Sequence, residues 1–403
     1  MKRSRIVALM LAAALMCTLL AGCGNKSETS TSAGPSAGGS SSGAIKVGVI
    51  APLTGDVAVY GTAVKNAVQL YTDQFNEKGG VDGKKIELVI CDDKGDPTEA
   101  INAYNKLVSS DQVAAILGPV TSSPTLGVAQ LSAKDNIPCI SGTATHPDVT
   151  KYGKNFFRAC FLDPFQGHTM ATVAKNDLKA TKAAIIYNTS DAYSTGLKDT
   201  FTEKAKELGL NIVASEGYAK GDTDFNAQLT NIANAKADVL FIPDYYNTAY
   251  LICSQAKKLG YTGTFLGVDG TDGVMEIQGA DTSVFDGMYF ANHYSAADTS
   301  AVVQDFLTAY QKQFNQQPNA LAALGYDSAM IMYNAISTAA KKGTDIGANA
   351  ASYQAIIDAI KATDMDCVTG HITFDANNNP VKQCFITKIA GGKYTLFKKY
   401  SGS

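Results

Sequence analysis

The chain has 403 residues, with 34 basic and 37 acidic side chains and a formal net charge of −3. No Lys/Arg-rich run interrupts that mild acidity, which argues against a nucleic-acid partner. Arg158 is the only arginine beyond residue 5, so capture of phosphates or carboxylates by arginine clusters is excluded.

Lys2, Arg3 and Arg5 form a basic head, followed by an apolar stretch over residues 6–20. That stretch falls short of the roughly 20 residues a spanning helix needs and reads as a secretory signal. It ends in Leu20-Ala21-Gly22-Cys23, which resembles the bacterial lipoprotein box. The resemblance implies removal of residues 1–22, acylation of Cys23 and anchoring to the outer face of the cell membrane. Residues 24–43 are mostly Ser, Gly, Thr and Ala with hardly a larger apolar side chain, so 23–43 is expected to be a flexible tether. Loss of the basic head leaves 31 basic residues against 37 acidic ones, a net charge of −6. The remainder exceeds what one core usually supports, and two lobes are expected.

Apolar runs then alternate with helical patterns, the signature of a parallel α/β sheet. A strand over 45–51 precedes a helix that carries Val64, Ala67, Val68, Tyr71 and Phe75 on one face and stops at Gly79-Gly80. A strand at 86–90, a helix at 99–110 and short strands at 114–117 and 137–141 complete a first series. The pattern restarts with a strand at 183–187, a helix near 194–208 and strands near 211–218 and 238–242. A helix at 248–259 and a strand at 264–267 close this second series. Helices near 300–314, 322–341 and 352–363 follow, and a hairpin pairs 371–375 with 381–388 across Asn377-Asn378-Asn379-Pro380.

Two such series imply two doubly wound α/β lobes. In open sheets of this kind ligands bind at the carboxyl ends of the strands, so the strand-to-helix loops are the places to search. Catalytic signatures are missing: there is no G-x-S-x-G elbow, no P-loop and no G-x-G-x-x-G. His146, His168, His293 and His371 share no ligand spacing, and no metal or cofactor is expected. The glycine-rich run Gly267-Val268-Asp269-Gly270-Thr271-Asp272-Gly273 carries two acids that would repel a phosphate; it is a turn or a cation site. Asp375-x-Asn377-x-Asn379 begins like an EF-hand loop but has Pro380 where that loop needs Gly, so it reads as a turn. Cys91, Cys139, Cys160, Cys253, Cys367 and Cys384 form no C-x-x-C, and several sit in apolar strand-like runs as small hydrophobes.

Two hydroxyl clusters stand out. Thr121-Ser122-Ser123 follows the strand ending near Gly118, and Thr143-Ala144-Thr145 follows the strand ending at Ser141. Backbone N–H groups at a helix start, with hydroxyls beside them, suit a small carboxylate. Plain N-capping would account for either loop taken alone.

Several motifs together resemble one family. They are Ile45 to Gly61 (IKVGVIAPLTGDVAVYG), Asp92-Asp93 with Asp96-Pro97, Ile116-Leu117-Gly118 before Thr121-Ser122-Ser123, and Ser141-Gly142-Thr143-Ala144-Thr145. Phe157-Arg158, Gln166-Gly167, Gly221-Asp222-Thr223-Asp224-Phe225, Gly325-Tyr326-Asp327 and Gly370-His371-Ile372-Thr373-Phe374-Asp375 continue the likeness. In this order they resemble the branched-chain amino-acid-binding proteins of ABC importers.

The resemblance implies a type I periplasmic binding fold: two doubly wound parallel-sheet lobes, three hinge crossings, and closure over a ligand. Lobe 1 would comprise 45–162 with 294–385, and lobe 2 would comprise 163–293 with 386–403. It implies that Ser122, Thr143 and Thr145 hold an α-carboxylate, that Tyr245 and Asp269 meet an α-ammonium, and that Tyr60 and Tyr193 line the pocket. It also implies a non-enzymatic monomer that delivers an amino acid to an ABC permease and its ATPase. For Asp269, a plain Asp-Gly turn is the competing reading. Three departures from the family pattern bear on the site: Gly95 and Thr121 leave no lobe-one disulfide, Asp269 replaces the usual Glu, and Leu321 stands where an aromatic often lies. The same fold could instead serve as a sensor or a binder of an amide, polyamine or aromatic acid.

Overall fold

A computed structural model describes residues 43–402. The signal, Cys23 and nearly all of the tether lie outside that range. The first lobe contains β1 (Ile45–Ala51), α1 (Ala58–Glu77), β2 (Ile86–Asp92), α2 (Pro97–Lys106), β3 (Ala115–Leu117), α3 (Ser122–Asp135), β4 (Cys139–Ser141) and β5 (Phe156–Arg158). The second lobe begins with α4 (Asp163–Thr172), β6 (Lys182–Asn188), α5 (Ala192–Glu207), β7 (Asn211–Tyr218) and α6 (Asn226–Ala235). It continues with β8 (Val239–Phe241), α7 (Tyr246–Lys258), β9 (Thr264–Gly267) and β10 (Tyr289–Asn292). The chain returns to the first lobe with α8 (Ala301–Phe314), α9 (Ala320–Lys341) and α10 (Ala350–Lys361). It then forms the small hairpin β11 (Asp364–Cys367) and β12 (Gly370–Thr373), and ends in the second lobe with β13 (Cys384–Ala390) and β14 (Lys393–Tyr400).

The first sheet runs β2-β1-β3-β4-β5, and all its strands are parallel. The second runs β14-β13-β10-β9-β8-β6-β7; its body is parallel, and β13 and β14 add an antiparallel edge. Central strands are buried on both faces, which is why β8 (VLF) and all of β1 (IKVGVIA) but the exposed Lys46 are apolar rather than alternating. α1 and α9 cover one face of the first sheet. α9 is buried along its first half and shows a polar strip only near its end, at Asn334, Ser337, Thr338 and Lys341. Its Gly325 sits where a β-carbon would come within 3.0 Å of the Val64 Cα on α1, and the missing side chain lets the two helices approach.

One expectation needs correction. The closing hairpin does not pair 371–375 with 381–388: β12 pairs back with β11, β13 pairs forward with β14, and a single Phe374–Pro380 bridge joins the expected partners. Asp375 instead closes its own turn, its Oδ1 accepting the N–H groups of Asn377 and Asn379. Near the third crossing, β13 begins at Cys384, and Cys384 and Phe385 pair with Tyr400 and Lys399. The six cysteines among the described residues are free thiols, and every one but Cys91 is buried.

Candidate ligand-binding site

Parallel strands end together, so their following loops converge on one edge of each sheet, and here the two edges face each other across a cleft. Between them lies a narrow, partly open cavity with room for about one water molecule. Tyr60, Ser122, Thr143, Thr145, Tyr193, Tyr245 and Asp269 all line it, joined by Val120, Thr121, Gly270 and Leu321.

The first-lobe wall is built of hydroxyls stitched into one surface. Thr121 starts α3 in an extended conformation but makes no side-chain capping bond, so its first-turn N–H groups are not closed off by that hydroxyl. The capping explanation therefore does not account for Thr121. Ser122 Oγ accepts from the His146 N–H at 3.3 Å, Thr143 Oγ1 donates to the Val120 carbonyl at 2.5 Å, and Ser141 Oγ donates to the Pro119 carbonyl at 2.7 Å. These bonds lock the loop after β3 to the loop after β4. Helix-start N–H groups and hydroxyls on one fixed surface make a receptor for negative charge.

The second-lobe wall is anionic and aromatic. Asp269 opens a single 3₁₀ turn after β9 and is 8% exposed. Its Oδ1 accepts from the Tyr193 hydroxyl, from Gln166 Nε2 at 3.1 Å and from the Gly270 N–H at 3.0 Å. Its Oδ2 lies 2.9 Å from His293 Nε2, which must be the N–H donor toward a carboxylate. The Asp-Gly turn is thus real, and it coexists with a carboxylate facing the cavity. A carboxylate offers about four acceptor sites, and Oδ2 has taken a single donor.

Tyr193 and Tyr245 stack with ring centroids 4.9 Å apart, and Tyr60 meets Tyr245 edge-on. Burial, with the Asp269 charge next, raises the Tyr193 phenol well above its usual range, so it stays a donor. The Tyr245 hydroxyl is buried without a partner. Gly270 fits because a β-carbon there would lie 2.9 Å from the Tyr193 hydroxyl oxygen and 3.0 Å from the Asp244 carbonyl.

Bonds cross the cleft directly. Tyr60, on α1, donates to the Gly270 carbonyl and accepts from the Tyr246 N–H at 3.1 Å. Ser123 donates to Asp191 at 2.7 Å, and Asn247 Nδ2 donates to the Asp56 carbonyl at 2.7 Å.

Sequence reasoning assigned no role to Asp163, Gln166, His293 and Arg158. They form a buried polar layer beneath the cavity. Gln166 Nε2 donates to both Asp163 Oδ1, at 3.0 Å, and Asp269 Oδ1. Burial pushes the Asp163 carboxyl up to about 7, opposed by the Thr145 hydroxyl. Arg158 donates to the Ala144 carbonyl at 2.9 Å and the Pro147 carbonyl at 3.3 Å. The 158 and 166 motifs were visible, but nothing local ties them to Asp269. No group of His, Cys, Asp and Glu able to hold a metal occurs among the described residues.

This fold and site define a two-lobed binding protein for a small solute. The periplasmic binding protein family model matches residues 44–393, and the chain belongs to that family, whose members bind solutes outside the cytoplasm and are not enzymes. It is similar to the Leu/Ile/Val-binding protein BraC3 of Rhizobium johnstonii, 31% identical over 354 residues, covering 87% of this chain and 92% of that one. It is also similar to the branched-chain amino acid transporter substrate binding protein LivJ of Streptococcus pneumoniae, solved with isoleucine. That structure is 33% identical with a TM-score of 0.81, covering 89% of this chain and 99% of that one. A Rhodopseudomonas palustris ABC-transporter solute binding protein, solved with 3,4-dihydroxybenzoic acid, is 25% identical with a TM-score of 0.78, covering 89% and 98%.

Proposed function

We propose that the chain is the substrate-binding subunit of an ABC importer and takes up a branched-chain or similar neutral amino acid between its lobes. The observation that carries this reading is the pairing of unlike walls: hydroxyls and helix-start N–H groups on the first lobe face the Asp269 carboxylate on the second across a narrow cavity. Donors at one end and an anion at the other complement a zwitterion. Ser122, Thr143 and Thr145 take the α-carboxylate, Asp269 and Tyr245 take the α-ammonium, Tyr60 and Tyr193 line the pocket, and Val120 and Leu321 offer the apolar surface. The names of the relatives in Rhizobium johnstonii and Streptococcus pneumoniae support the same ligand class. A thermal-shift screen over all amino acids, common amides and aromatic acids tests it. A ligand at about 100 times its Kd adds about 2.7 kcal/mol to the folded state. Absence of a shift with any neutral amino acid would sink the reading.

A second reading, an aromatic acid as ligand, is favoured by the three tyrosines around the cavity and by the dihydroxybenzoate-bound relative. The same screen separates the two, because an aromatic acid carries no ammonium for Asp269.

Leu20-Ala21-Gly22-Cys23 supports a lipid anchor on the outer face of the membrane. Several acyl chains anchor stably at about 0.8 kcal/mol per buried CH₂. Cys23→Ser should abolish lipid labelling and release the protein, with ligand affinity unchanged. Retention on membranes after a high-salt wash would contradict it.

A further inference from the structure

The polar layer under the cavity is continuous, and it joins the two halves of the site through the hinge. On the first-lobe side, the Ala144 carbonyl accepts from Arg158 and the Thr145 carbonyl accepts the Asp163 N–H at 3.1 Å. Arg158 ends β5 and Asp163 opens α4, so these two residues bracket the first crossing. Gln166 then spans from Asp163 to Asp269: its amide N–H groups reach both carboxylates, and its Oε1 accepts the Asp269 N–H at 3.2 Å. On the far side of Asp269, His293 directly follows β10 at the second crossing, and its Nε2 holds Oδ2. The His293 ring stacks on Phe161 of the first crossing with centroids 3.8 Å apart. Gln166 and His293 are both 0% exposed.

We propose that Gln166 and His293 are positioning residues for ligand recognition: they fix Asp269 against two hinge crossings, so the ammonium of a bound ligand is felt at the hinge. The inference rests on the reading of Asp269 as the ammonium partner. A carboxylate shorter by one methylene than Glu reaches less far, and its placement is set by the groups behind it. Gln166 and the Gly270 N–H occupy Oδ1 together with Tyr193, while His293 fixes the orientation of Oδ2 and leaves it an acceptor site for the ligand. Gln suits position 166 because one amide can donate to two carboxylates and accept from the backbone. Glu there would add a third anion.

The test measures affinities of L-leucine, L-isoleucine and L-valine, and of their 2-keto acids by competition, for wild type and variants whose folding is checked by circular dichroism and melting temperature. His293→Leu and Gln166→Leu should each weaken the amino acids about tenfold or more. The 2-keto acids, which lack the ammonium, should keep their weaker affinities. His293→Gln, which can place an Nε2 donor toward Oδ2, should stay within about threefold of wild type. If His293→Leu does not fold, His293→Gln and Gln166→Met carry the test. In the background of Asp269→Asn, His293→Leu should cost nothing further, because the group it positions is gone. Amino-acid affinity within twofold of wild type in both Leu variants would overturn the proposal, as would equal losses for amino acids and 2-keto acids or full additivity with Asp269→Asn. Failure of all three amino acids to bind wild type would remove the ligand reading and this inference with it. Normal loss in Asp269→Asn with no loss in the position 166 and 293 variants would remove this inference alone.

Discussion

The two walls of the cleft differ in charge, and in the proposed reading they would hold opposite ends of one ligand by different physics. The first-lobe wall is neutral and redundant: Ser122, Thr143, Thr145 and the start of α3 would share the work, so no single group would be indispensable. The second-lobe wall concentrates its charge in Asp269, which is supported by Tyr193, Gln166, Gly270 and His293. A redundant donor set suits an anion, which many N–H and O–H groups can share. A desolvated cation needs a single well-placed counter-charge, and the loss of one partner of such a pair is costly. Closure then depends on a ligand that carries both groups, because a ligand shifts a conformational equilibrium only by its preference for the closed state.

The sharpest way to break this contrast is Asp269→Asn. Removing the charge from a buried pair costs roughly 3–5 kcal/mol, a loss of a hundredfold to several thousandfold in affinity by titration calorimetry. The fold should survive, since the substitution keeps the shape of the turn. Near-normal amino-acid binding would reduce Asp269 to a turn residue. Ser122→Ala should cost less, roughly 1–3 kcal/mol, because Thr143, Thr145 and backbone N–H groups remain. A larger loss for Ser122→Ala than for Asp269→Asn would reverse the contrast.

A smaller effect concerns Asp163, held up to about 7 by burial. Its folded value lies above its unfolded one, so between roughly pH 4 and 7 the folded protein holds a proton that the unfolded chain has released. Stability of the unliganded protein should therefore fall as pH rises through that window. Asp163→Asn should flatten the fall in chemical-denaturation curves taken from pH 4.5 to 8. An unchanged slope would show that Asp163 ionises normally. The mildest change is Leu321→Phe, which narrows the cavity further. Preference should move toward smaller aliphatic side chains by roughly 1–3 kcal/mol, the scale of one methylene in an apolar pocket.

The contrast between the walls also explains what could be read from the sequence. Strands 45–51, 211–218 and 264–267 match to the residue, because each is a run bounded by turn residues or charge. The hydroxyl loops were legible because their groups are local: Thr121 to Ser123 and Thr143 to Thr145 are contiguous. The support of Asp269 was not, since Gln166 lies 103 residues away and His293 follows a four-residue strand too short to show a period. β5 was missed as well, its Phe157-Arg158 having been read only as part of a motif. The hairpin was misread because turn chemistry at Asn377 to Pro380 is a local signal. The choice between β11 and β13 as partner for β12 is decided by packing on α9: Asp327 accepts the N–H groups of Val368 and Thr369 and holds the β11–β12 turn in place.

The central claim is that the second lobe recognises a positive charge. It is tested most directly by titrating wild-type protein with L-leucine and with its 2-keto acid, which has the same side chain and carboxylate but no ammonium. The account predicts binding of leucine and at least about a hundredfold weaker binding of the keto acid, the scale of an unpaired buried charge. Equal affinity for the two would contradict it.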